Sequence, residues 1–141
     1  LIFLIVTSLS VATTSKEYCM KASLSWEAFE CSSLASKAGE TQEQARLFVL
    51  AYKEGLEYIK AVQKGKVTNE DINSYVPVGF LLRLEGPTTD FMLGRIFEAA
   101  QEEALKEVYY TNGKYNSPEV QKRIAQDELR KRNANYLRTK E

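Results

Sequence analysis

TQEQARLFVLAYKEGLEYIKAVQKG, residues 41–65, carries the clearest helical pattern in the chain. Thr41 and Gln44 have the T-x-x-Q spacing of a capping box, in which side chains satisfy the unpaired N–H groups of a first helical turn. Ala45, Phe48, Tyr52, Gly55, Ile59 and Val62 then recur at three- and four-residue steps, the period of one helical face. Lys60 and Lys64 place positive charge at the negative end of the helix dipole, and Gly65 closes the run. No two strand-like runs in the chain answer each other, and a lone strand is not stable. The expected fold is therefore all-α, a single domain of four to five helices.

Working outward, Ser23 and Ser25 offer N-caps for a preceding helix that starts near Trp26 and ends at Gly39. On the other side Thr68 caps a short segment with Ile72, Tyr75 and Val76 as its apolar face, ended by Pro77. Residues 76–86 alternate apolar positions until Leu81 breaks the pattern, which leaves a short buried helix or an irregular turn. Gly86-Pro87-Thr88-Thr89-Asp90 opens a long helix, with Leu93, Phe97, Ala100, Ala104 and Val108 on one face. Asn112-Gly113 ends it. Ser117-Pro118-Glu119 opens a polar C-terminal helix over residues 119–141, with seven basic and four acidic side chains. Three parts result: 1–12, a helical core over 13–118, and the charged helix 119–141.

Composition limits what this domain can do. The chain has 141 residues, 44% hydrophobic, with 19 basic and 19 acidic side chains and no histidine. Zero net charge gives no overall attraction to nucleic acid. Without histidine, Ser-His-Asp and Cys-His catalysis, imidazole-ligated zinc and histidine pH switches are excluded. No phosphate loop or cofactor motif occurs, so no cofactor is expected.

LIFLIVTSLSVA, residues 1–12, is apolar and uncharged. A bilayer span needs about 20 such residues. The run matches instead the core of a secretory signal, with Ser10-Val11-Ala12 as small residues before a cleavage site. Export to the periplasm or beyond is the expected address, with no stable membrane anchor. An oxidising compartment favours pairing the two cysteines, Cys19 and Cys31. One unbroken helix would hold them about 18 Å apart, too far for a disulfide. Pairing therefore requires the chain to fold back between them.

Three further groups are candidates. Gly55 and Gly94 fall inside helical patterns at a cost of about 1 kcal/mol each relative to Ala, which suggests a close helix crossing at both. Asp90, Arg95 and Glu98 can form a structural clamp or a contact site. Glu98, Glu102, Glu103 and Glu107 read as a solvated face, and Lys122, Arg123, Arg130, Lys131 and Arg132 as a solvated basic helix. No catalytic or metal-binding set emerges.

The run Gly86–Glu98, GPTTDFMLGRIFE, resembles a stretch of small exported bacterial proteins of uncharacterised function. In plan alone the chain is similar to the immunity proteins that guard the periplasm against type VI secretion effectors. That likeness implies a non-enzymatic, exported protein that holds or masks a protein partner. The alternatives are a carboxylate-dependent enzyme acting on the cell wall, and an envelope structural component, which would self-associate.

Overall fold

A computed structural model describes residues 11–132; most of the apolar run 1–12 and the last nine residues of the charged segment lie outside the described residues. The fold is all-α. Its helices are α1 (Ser15–Ala38), α2 (Thr41–Gln63), α3 (Asn69–Tyr75), α4 (Val78–Leu81), α5 (Thr89–Tyr109) and α6 (Pro118–Lys131). A two-residue-per-strand hairpin, β1 (Tyr110–Thr111) and β2 (Lys114–Tyr115), joins α5 to α6.

The central element is α1, against which α2, α3, α5 and α6 all pack. Every residue from Ala28 to Ala35 is buried, about two full turns, so this helix is covered on all sides. It begins much earlier than the serines at 23 and 25 suggest. Thr14 is its N-cap, accepting from the Glu17 N–H at 3.1 Å, and Thr14-x-x-Glu17 has the spacing of a capping box. Ser25 and Ser33 are interior residues whose hydroxyls donate to the carbonyls of Ala51 (2.7 Å) and Phe29 (3.0 Å).

The disulfide expectation fails for the same reason. Cys19 and Cys31 lie on one continuous helix, buried and unpaired. With no fold-back between them, the rise of the helix holds them about 18 Å apart.

α1 and α2 form an antiparallel hairpin across only Gly39 and Glu40. Gly39 takes the left-handed conformation, φ 79°, and the Glu40 N–H returns to the Ala35 carbonyl at 2.9 Å, which satisfies the end of α1. So short a connection leaves no room for the capping box expected at Thr41: Thr41 is already helical, and Glu40 caps nothing with its side chain. The seam then keeps register. Ser32 bonds the Gln44 carbonyl and Ser25 the Ala51 carbonyl, seven residues apart on each helix. The buried face of α2 runs through Leu47, Leu50, Ala51, Gly55, Tyr58 and Ile59. It is rotated from the expected stripe, since Ala45 and Val62 are exposed.

The two helical glycines part company. A Cβ on Gly55 would lie 2.7 Å from both Leu93 Cδ2 and Ser25 Oγ, so three helices meet there. Gly94 is exposed, with nothing within 4 Å of such a Cβ. No crossing occurs at Gly94, because α5 turns Leu93 and Ile96 inward and Gly94 outward.

Asn112-Gly113 does more than end α5. Both residues have positive φ, 49° and 76°, the requirement of a two-residue hairpin turn. Beyond it α6 buries Gln121, Ala125 and Leu129 and packs on α1 and α5. Residues 118–131 are thus a packed part of the bundle rather than a solvated tail appended to it. Residues 78–81 form the short helix α4, with Phe80 buried edge-on against Tyr58. Among the described residues no helix is long and apolar enough to cross a membrane.

Candidate functional site

Trp26 and Glu30 stand one helical turn apart on α1, and both face a cleft of about 1090 Å³. α5 forms the opposite wall with Glu98, Glu102, Glu103 and Lys106, Tyr110 closes one end, and Arg132 at the end of α6 closes another. The segment around α4 supplies Gly79 and Arg83. Gly79 matters by what it lacks: a Cβ there would lie 2.4 Å from the Trp26 ring, so the indole rests directly on the α4 backbone. This holds one face of the ring in place at the cleft wall.

The charge chemistry centres on Glu30. Its side chain is 9% exposed and accepts from Arg132 Nη1 at 2.5 Å, while Arg132 Nε reaches Glu128 at 3.2 Å. Burial pushes the Glu30 carboxyl above the usual carboxylate range. Arg132 and a hydrogen bond from Trp26 oppose that push, and the nearby charge of Glu103 adds to it. The Arg132 guanidinium loses hydration as well, yet its two carboxylate partners hold its pKa up. The pair pins the end of α6 onto the middle of α1 across 102 residues of sequence.

Of the residues singled out from sequence, Glu98, Glu102, Glu103 and Arg132 line this cleft. The expected clamp of Asp90, Arg95 and Glu98 is not formed. Arg95 Nη1 donates to the Glu85 carbonyl at 2.6 Å, closing the loop before α5. Asp90 accepts from the Tyr52 hydroxyl of α2, which raises the Tyr52 pKa. The first turn of α5 points Asp90 at α2, and Arg95 finds a loop carbonyl nearer than either acid. Of the acids read as a solvated face, Glu98, Glu102 and Glu103 do stay exposed but look into the cleft. Of the basic C-terminal residues, Arg132 is the one built into it.

Trp26, Glu30 and Gly79 were not legible as a site. Trp26 and Glu30 have i, i+4 spacing, which puts them on one helical face, but nothing in the sequence marks what opposes them. Among the described residues no group of His, Cys, Asp and Glu side chains could hold a metal ion. Comparison with known protein families, curated proteins and solved structures finds no match for this chain.

Proposed function

We propose that this chain is an exported binding protein that holds a segment of a protein partner in the cleft between α1 and α5. The observation that carries this reading is the make-up of the cleft. It offers a fixed indole, two tyrosines and charges of both signs, while its one buried carboxylate is already closed by Arg132. Rings with two torsions present large contact area at small entropic cost, which suits a peptide anchor. With Glu30 and Arg132 paired, Glu98, Glu102 and Glu103 outnumber Arg83 and Lys106. The fitting segment bears an apolar anchor for Trp26 and a basic side chain for the α5 wall. Export agrees with the apolar run 1–12 and with its placement: processing after Ala12 leaves the Thr14 cap of α1 intact.

Photo-crosslinking in cells, from a probe at Gln101 in the cleft and from one at Val49 on the outer face of α2, tests the reading. Capture of one protein from position 101, lost on Glu102→Arg, is the expected result. Capture from position 49 alone would move the docking face elsewhere.

One observation favours the carboxylate-enzyme alternative. Glu30, raised by burial, faces the same cleft as Glu103, and two carboxyls facing one cleft are what acid–base hydrolysis uses. Hydrolysis of cell-wall material by the purified chain, abolished by Glu30→Gln, would establish that reading in place of the first.

A further inference from the structure

A second concavity, away from the cleft, has a different chemistry. It measures about 250 Å³ and is walled by four lysines, Lys21, Lys60, Lys64 and Lys66, with Tyr18, Thr13 and a single carboxylate, Glu57. The lysines come from three places in the chain. Lys60 and Lys64 are one turn apart at the end of α2. Lys66 follows the left-handed Gly65, φ 66°, in a turn fixed by its N–H on the Ala61 carbonyl at 2.9 Å. That turn sets the Lys66 ammonium over the Tyr18 ring, 6.0 Å from its centre.

The charges do not balance inside the pocket. Lys21 already pairs with Glu57 at 2.7 Å and with Glu54 at 3.2 Å, so the one wall carboxylate is spent. Among the described residues Lys60, Lys64 and Lys66 make no ion pair. Three exposed ammonium groups line one small concavity without a carboxylate partner, and an anion bearing more than one charge complements that excess. Lysine serves such an anion as a point charge. Tyr18 in the first turn of α1, and Thr13 just ahead of its N-cap, stand in the wall beside the positive end of a 24-residue helix. The volume lies below the roughly 300–1,000 Å³ of pockets for larger organic ligands.

We propose that this pocket binds a phosphate group, carried either by a small free anion or by an anionic lipid headgroup. This proposal does not depend on the cleft.

The full chain is titrated with inorganic phosphate at low ionic strength, followed by amide chemical shifts, and in parallel with vesicles of phosphatidylglycerol or of phosphatidylcholine. Two variants with equal charge loss are compared, Lys60→Gln/Lys64→Gln in the pocket and Lys114→Gln/Lys122→Gln outside it. The expected result is phosphate-dependent shifts at Tyr18, Lys60 and Lys66, with affinity about tenfold or more weaker in the pocket variant and unchanged in the other. Phosphate binding without vesicle binding assigns a free anion. Phosphatidylglycerol binding lost only in the pocket variant assigns the headgroup. Absence of both, or equal losses in the two variants, overturns the site.

Discussion

Ser25 and Gly55 face each other across the α1–α2 seam, and Leu93 of α5 reaches the same point. Because a Cβ on Gly55 would sit at 2.7 Å from two of those neighbours, even one methyl group must displace a helix or a side chain. Gly55→Ala is expected to lower stability by about 1–3 kcal/mol despite its better helix propensity. Gly94→Ala should do the opposite, adding about 0.5–1 kcal/mol, since its site is helical and open. Urea unfolding of the two variants checks this, and equal signs would contradict the three-helix contact. Sequence alone weighed both glycines alike, because propensity penalties do not say which way a helix faces. The cysteines are a second case. Burial pushes the Cys31 thiol to about 11, so it stays protonated at neutral pH. Denatured, unreduced protein should titrate two thiols, and the native protein should react slowly with the same reagent. A denatured, unreduced chain without free thiols would refute the continuous α1.

Of the elements with side-chain caps, α3, α5 and α6 were legible from sequence. Thr68, Thr88 and Ser117 each accept from the backbone N–H three residues on, as their sequences imply. What misled was serine inside α1, where the same residue type bonds carbonyls of its own or the neighbouring helix. The α2 stripe slipped for a related reason: Glu43 and Glu54 lie on its buried face, so hydrophobicity alone does not mark that face. The β1–β2 hairpin escaped because its strands bury nothing. Its anchor is Asn116, whose Nδ2 donates to the Val108 carbonyl at 2.9 Å and to Thr111 Oγ1 at 3.0 Å, while Gln121 donates to its backbone carbonyl at 2.8 Å. These bonds tie the end of α5 to the start of α6. Asn116→Ala leaves the buried Val108 carbonyl without this donor, at an expected cost of about 1–3 kcal/mol. Hydrogen exchange should rise first in residues 110–121 and not in α2. Uniform loss of protection would mean the hairpin is no separate unit.

At the scale of the molecule, the all-α fold was legible from period and punctuation, but the cleft was not, since it exists only where α1, α5 and α6 converge. Glu30 and Arg132 hold that convergence, and they make it sensitive to pH. Glu30 has its pKa raised in the fold, mainly by burial, so the folded chain keeps a proton that the unfolded chain has already released. Its contribution to stability is full below the unfolded carboxyl pKa and is lost as pH rises through the folded one. Wild-type stability should therefore fall across that window, and Glu30→Gln, uncharged throughout, should lack the fall. The difference between them should move in favour of the variant as pH is raised from about 4 to neutral. Arg132→Gln removes the opposing cation, which leaves the Glu30 carboxylate buried without its partner. Its cost should be about 1–3 kcal/mol near neutral pH and should shrink in acid, where the carboxyl is protonated in both states. Denaturant unfolding of the three proteins over that range measures both slopes. An Arg132→Gln penalty independent of pH would show that Arg132 holds α6 by packing alone, and that the cleft carries no buried charge for a partner to sense.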